Sequence, residues 1–397
     1  AESLEVHGFG RKTIQFFHQK DDKSSSKLKS FAGIPETFIF KSNLSTKEVY
    51  DMSQRQLWEY HAKEVLAYEA TNFPLENKYL KYLAIHSATR FCNPSGIPPK
   101  THLELLSLTK GHVSIGGGDF ALLGSGCLYT WPEHLSDVIS TFCDTTQTDT
   151  TKYMDDSAYR KTIGGCYATT LGALIHELGH AFDLGHSQNG FMARGFDDID
   201  KFFILSDKVK QLRAQHTSSV SALMSCVSLS INAPLSTSSP SSNLKVNEIE
   251  KTHETKLNIA SNRSVNKPAS ITKKGTSYLE QYQQKQYYRK MMNEFGNAFW
   301  NKSSALILSA HKWLNVSATE NHSPISYDAN EKILSSNDSD FVLLEFRSND
   351  GDVLDFVDLS GLERRYIDLN QYTMKTCCNF ETFLCINCDG EILKDKI

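Results

Sequence analysis

The run TTLGALIHELGHAFDLGH, Thr169 to His186, constrains this chain more than any other stretch. Its small and apolar residues read as a buried helix carrying the first two histidines. His176 and His180 are four apart, which on a helix puts both imidazoles on one face, a turn apart. No helix can carry His186, six residues further on, to that face. The chain must break and turn back, and Gly185 is available for the reversal. Asp183 also suits a turn there, because Asp is among the residues enriched at positive φ.

Two imidazole nitrogens in this geometry can reach one Zn²⁺ at about 2.0–2.1 Å each, and catalytic zinc usually takes three protein ligands with a fourth position open to water. Glu177 follows the first histidine but points about a quarter-turn away. That suits a base acting on a zinc-activated water rather than a third ligand. The short HExxH pattern alone is weak, and a helix with satisfied histidines is its ordinary rival. The third histidine at a workable offset strengthens the zinc reading, with one Zn²⁺ per chain.

HELGHAFDLGH is similar to the metzincin pattern HExxHxxGxxH. Metzincins also set a methionine on a tight turn beneath the zinc, and SQNGFMARG offers Met192 between Gly190 and Gly195. The resemblance implies His176, His180 and His186 as metal ligands, Glu177 as general base and Met192 as the turn methionine. More widely, the motif followed by GFMARGFDDIDKFF, with GGGDFALLGSGCLYTWP upstream, resembles an uncharacterised family of zinc metallopeptidases known from fungi and animals, over about residues 5 to 360. The departure is Asp183, which stands where the pattern has glycine. Were the helix to run on, Asp183 would lie three residues after His180 and could serve as an alternative third ligand. In metzincins the substrate pairs as an extended strand with an edge strand above the active-site helix. By resemblance SIGGGDFALLG supplies that strand, with Ile115, Gly116, Gly117 and Gly118 as candidates. Its glycines can equally mark a place where another backbone approaches.

The chain of 397 residues is long enough for two or three domains. Its net charge of −4 gives no electrostatic case for nucleic acid, and no apolar run is long enough to span a bilayer. A peptide or protein substrate is the expected partner; the sequence does not specify an oligomeric state. The opening AESLEVHGFG lacks the apolar core of a signal peptide. The nine cysteines are odd in number and irregular in spacing, which points to a reducing compartment. A cytoplasmic location is therefore expected, with secretion as the alternative.

Patterning gives an α/β (α+β) architecture of metzincin type: a twisted sheet with an active-site helix, a helical lower part, and a small C-terminal β segment. A strand is expected in ETFIF (36–40), one helix from Thr46 to about residue 70, and a strand over Tyr79–Phe91. Glycine-punctuated strands follow over His112–Pro132. A flexible Ser-rich insertion spans about 226–276. Helical spacing of Tyr288, Met292, Phe295 and Phe299 follows, then a helix in SSALILSAHKWL, then strands with a turn at Asn349-Asp350-Gly351. The expected division is a catalytic domain over 1–316 and a β-rich region over 317–397. The terminal Cys385-x2-Cys388 has the local spacing of a second zinc site, with disulfides or free thiols as the more ordinary reading. The rival to an enzyme is a zinc-binding, non-catalytic interaction protein that recognises its partner through the C-terminal β region.

Overall fold

A computed structural model describes residues 39–72, 80–204, 296, 298–315, 324–373 and 380–397. Two compact units divide the chain: Ala1–Ile204 with Met292–Ile397, and Leu205–Met291. Everything described lies in the first. The insertion at 226–276 and the helical spacing of Tyr288, Met292 and Phe295 fall outside the described residues, as do Cys377 and Cys378.

The architecture is mixed α and β. The helix expected from Thr46 is two helices, Thr46–Asp51 and Gln54–Asn72. Each start is built by a reciprocal cap. The Ser45 hydroxyl accepts from Glu48 N–H while the Glu48 carboxylate accepts from Ser45 N–H, and Ser53 and Gln56 repeat the exchange. The second cap restarts the helix after the break. Of the strand expected in ETFIF, residues 36–38 lie outside the described residues; Ile39 and Phe40 are in no strand and are exposed, with the Phe40 ring edge-on to Tyr68.

Strands β1 (Tyr82–His86), β2 (Arg90–Phe91), β3 (Thr109–Lys110), β4 (Ser114–Gly117) and β5 (Phe120–Gly124) follow. The strand expected over Tyr79–Phe91 is thus broken into β1 and β2 by a turn. β1, β5 and β4 form a three-stranded sheet in that order, with β1 parallel and β4 antiparallel to β5. One face of this sheet packs on Gln54–Asn72 through Leu57, Val113, Phe120 and Leu122. The long helix Ile163–Ala181, here the motif helix, packs against β4 and β5. A short helix, Val138–Phe142, precedes the motif helix.

The C-terminal strands are β6 (Ile325–Asp328), β7 (Ile333–Ser336), β8 (Phe341–Arg347), β9 (Val353–Asp358), β10 (Tyr366–Asp368), β11 (Thr382–Asn387) and β12 (Ile392–Lys396). β12-β11-β8-β9 form an antiparallel sheet, and β10-β7-β6 form a smaller one. β8 reads FVLLEFR and is buried along its whole length, as a central strand covered on both faces should be. The helix Lys302–Ala310, capped by Asn301, fills the space beside it. Its Leu306 and Ile307 share one apolar core with Val342 and Leu384 of the sheet and with Phe182, Leu184 and Met192 from the end of the motif. No helix among the described residues is long and apolar enough to cross a membrane.

Candidate metal centre

The motif helix starts on Thr162, whose hydroxyl accepts from Gly165 N–H. It ends where the first histidine pair needs it to end. Phe182 is the cap, and Asp183 follows at φ 69°. Asp183 N–H donates to His180 O at 3.0 Å and Leu184 N–H to Gly179 O at 3.1 Å. These two bonds are the Schellman closure, in which the residue after the cap must be left-handed. Glycine takes that conformation most readily, and Asp is one of the few side chains that tolerates it. Asp183 therefore performs the backbone job that glycine usually does at such a helix end.

The reversal brings His186 back beside the helix. His180 Nε2 lies 3.1 Å from His176 Nε2 and 3.1 Å from His186 Nε2. These three side chains are the group among the described residues arranged to hold a metal ion. Each outer nitrogen faces an oxygen. His176 Nδ1 is 2.6 Å from Phe191 O, His180 Nδ1 is 2.9 Å from Leu184 O, and His186 Nδ1 is 3.5 Å from Asp352 Oδ1. An imidazole that donates from Nδ1 turns a lone pair inward at Nε2. His176 and His180 thus turn lone pairs inward at Nε2, with His186 Nε2 beside them, an arrangement that a cation between the three would satisfy. The spacing suits nitrogens about 2.0–2.1 Å from one zinc. Burial holds His176 down to about 4 and His180 down to about 3, so both are neutral and ready to ligate near pH 7. The donor set thus fits zinc.

Glu177 lies beside the cluster and is buried. Ser114 Oγ donates to Glu177 Oε1 at 2.9 Å, and the Gly116 backbone N–H also serves the carboxylate. Burial raises its pKa to about 7 against the pull of these two donors. Ser114 and Gly116 share one face of β4, two residues apart. Gly116 is where the strand meets the helix: a Cβ there would overlap the Glu177 carbonyl oxygen. The approach of another backbone to this glycine run is borne out at that residue. β4 has one strand neighbour among the described residues, β5, so Ile115, Gly116 and Gly117 lie on a sheet edge. Gly118 is in the turn beyond, at φ 57°.

Met192 is buried below the helix, and a Cβ on Gly179 would come 2.6 Å from its Sδ. The turn that carries it runs through Gly190 at φ 82°, and Ser187 N–H donates to Met192 O at 2.9 Å. The same turn supplies Phe191 O, the acceptor for His176.

Asp183, the alternative third ligand, lies apart from the three-histidine group. Its carboxylate pairs with Lys394 Nζ and lies 3.9 Å from His311 Nε2. Cys385 is a fully buried residue of the C-terminal core, its thiol pushed up to about 12 by burial, and Cys388 is exposed. Among the described residues they belong to no metal-binding group.

Sequence reasoning overlooked Ser114 and Asp352. Ser114 was within reach, since the period of two in a strand puts it on the face of Gly116. Nothing local marks Asp352.

Two relatives are similar over part of this chain. One from Saccharomyces cerevisiae, named "Putative zinc metalloproteinase", is 35% identical over 104 residues, which cover 25% of this chain and 15% of that protein. One from Schizosaccharomyces pombe with the same descriptive name is 31% identical over 99 residues, 24% of this chain and 16% of that protein. The match therefore spans less than a fifth of either relative's length. No solved structure matches the chain. A family model described as "Putative peptidase family" matches residues 1–286, well over half of the chain and inclusive of all three histidines, and the protein belongs to that family.

Proposed function

We propose that this protein is a zinc-dependent peptidase of metzincin-like architecture, hydrolysing peptide bonds of a peptide or protein substrate with one Zn²⁺ per chain. The observation that carries the reading is the convergence of three Nε2 atoms, each on a ring whose Nδ1 faces an oxygen. His176, His180 and His186 hold the ion. Zinc supplies a Lewis acid that polarises a carbonyl and brings the pKa of water towards 7. Glu177 takes a proton from the attacking water and passes it to the leaving amine. Ser114 fixes one oxygen of that carboxylate, Oε1, and so sets the direction in which the other reaches. An extended substrate would lie along the outer edge of β4, where no strand pairs among the described residues and where the Ser114 and Gly116 amides are already engaged by Gln54 and Glu177, beside the base that acts on it. Met192 supports the helix from below.

The test is zinc stoichiometry together with cleavage of a mixed peptide library, on wild type, Glu177→Ala and His186→Ala. One zinc and cleavage in wild type, zinc without cleavage in Glu177→Ala, and lost zinc in His186→Ala are expected. A wild type that holds zinc and cleaves nothing would favour the non-catalytic interaction protein.

A further inference from the structure

We propose that the C-terminal sheet is a working part of the metal centre, and that Asp352 is a positioning residue that holds His186 in its ligating orientation. The inference rests on the zinc reading of the three-histidine group. It starts from an asymmetry among the ligands. His176 and His180 are oriented by backbone carbonyls from residues 184 and 191, inside or just after the motif. His186 is oriented from 166 residues away in sequence, by the loop between β8 and β9.

The grip on His186 has several independent points. His186 N–H donates to Gly351 O at 3.1 Å, and Val353 N–H donates to His186 O at 2.7 Å. This pair of bonds sets Asp352 opposite His186 as a parallel bridge. The side-chain approach of Asp352 Oδ1 to His186 Nδ1, at 3.5 Å, grows out of that fixed backbone. No side chain could separate the two segments at the preceding residue, because a Cβ on Gly185 would come 2.8 Å from Gly351 O and 2.9 Å from Arg347 Nε. Arg347, buried and paired with Glu345, donates from Nη2 to Asp183 O at 2.8 Å. Lys394 of β12 takes the Asp183 carboxylate. The whole turn from Asp183 to His186 is therefore held by groups from the C-terminal sheet.

A neutral imidazole that binds metal through Nε2 must carry its proton on Nδ1. An acceptor at Nδ1 fixes both the tautomer and the plane of the ring. The bland alternative is an exposed ion pair of little consequence. That alternative does not account for the backbone bridge, which holds both partners before either side chain is placed.

The experiment uses the full chain with Asp352→Ala and Asp352→Asn, and with Asp350→Asn as a control for charge on the same loop. Zinc affinity is read by competition with a chromophoric chelator. Ligand geometry is read from the absorption spectrum of the Co²⁺-loaded protein. Asp352→Ala should bind zinc about 10–100-fold more weakly and alter the Co²⁺ spectrum. Asp352→Asn should recover part of the loss, since its amide oxygen still accepts. Asp350→Asn should match wild type. Unfolding midpoints of the metal-free proteins should agree, because the Asp352 side chain is 59% exposed. Unchanged zinc affinity in Asp352→Ala overturns the proposal, and so does an equal loss in Asp350→Asn. If Asp352→Ala loses zinc but not even the zinc-loaded wild type cleaves peptides, the hydrolase reading fails and the positioning role stands. If wild type cleaves and Asp352→Ala binds zinc normally, the reverse holds. A wild type that binds no zinc overturns both.

Discussion

The motif helix and the C-terminal sheet meet at His186, and they reach it by different physics. The helix places His176 and His180 through its own period, so any chain that forms this helix presents that pair. His186 has no such guarantee. It sits after a left-handed residue and a glycine, on a turn whose carbonyls and amides are tied to residues 347–353 and 394. On the proposed zinc reading, two ligands are local and one is tertiary, and a site built this way would assemble only when the sheet has docked, which would make metal affinity a report on the C-terminal fold.

The largest effect expected lies on the helix side and leaves the sheet untouched. Glu177→Gln keeps the shape of the side chain and a partner for Ser114 while removing the proposed base. Cleavage should fall by about 10²–10⁴-fold. Zinc affinity and the unfolding midpoint should change little, since Glu177 is outside the ligand group. Steady-state kinetics beside a zinc titration would separate the two. A variant that also lost its zinc would place Glu177 among the residues that build the centre and would blur the local half of the comparison.

Next in size is a break in the core that joins the halves. Leu384 on β11 is fully buried with Phe182, Leu184 and Met192. Leu384→Ala should cost about 2–5 kcal/mol. Denaturant unfolding followed by fluorescence, with zinc release recorded in parallel, tests whether one core is at stake. Coincident loss of fold and metal is expected. A separate early transition that spared the zinc would mean that the sheet is a detachable module and that His186 does not depend on it.

Legibility in the sequence follows the same line. The motif helix, the approach at Gly116 and the turn at Gly351 could all be read, because each rests on periodicity or on a backbone conformation that few residues adopt. The restart of the second helix at Ser53 was readable but overlooked, since Ser53-x-x-Gln56 repeats the cap already present at Ser45-x-x-Glu48. Asp352 was not readable by any local rule. It lies in a run, NDGD, that signals a turn and says nothing of a histidine 166 residues earlier. The Arg347–Glu345 pair was likewise hidden in an apolar strand, where a sequence reading expects neither charge. Long-range pairing leaves no periodicity, and that is where the reading ran out.

Acid should strain both halves by a smaller amount. His86 at the end of β1 and His311 after the helix Lys302–Ala310 are each held down to about 4, chiefly by burial. His86 also faces His61, while His311 faces Lys81, Lys312, Asp183 and Asp119. A histidine with a folded pKa below its unfolded value binds fewer protons when folded, so stability rises with pH. Its contribution is fully present above about pH 6.5 and is lost as pH falls towards 4. Each site accounts for at most roughly 3 kcal/mol of that loss. His86→Gln and His311→Gln should each flatten the pH dependence of the unfolding free energy over that window. If only one does, acid acts on one half of the molecule before the other.

The smallest effect expected is the most pointed test of the junction. Asp183→Gly restores the residue that the left-handed position favours, at φ 69°, and removes the carboxylate that pairs with Lys394. Relief of the backbone is about 1 kcal/mol, by the cost of a left-handed L-residue. The lost pair is partly solvent-exposed and contributes about 0.2–1 kcal/mol. The two nearly cancel, so stability should stay within about 1 kcal/mol of wild type, with zinc content unchanged. Asp183→Ala loses the pair and keeps the strained conformation, so it should be the less stable of the two by about 1 kcal/mol. Thermal unfolding of the three proteins then separates what the backbone at 183 needs from what its side chain does for the sheet. Loss of zinc from Asp183→Gly would return Asp183 to the ligand set and release His186 from it, and the comparison between a local pair and a tertiary third ligand would fall.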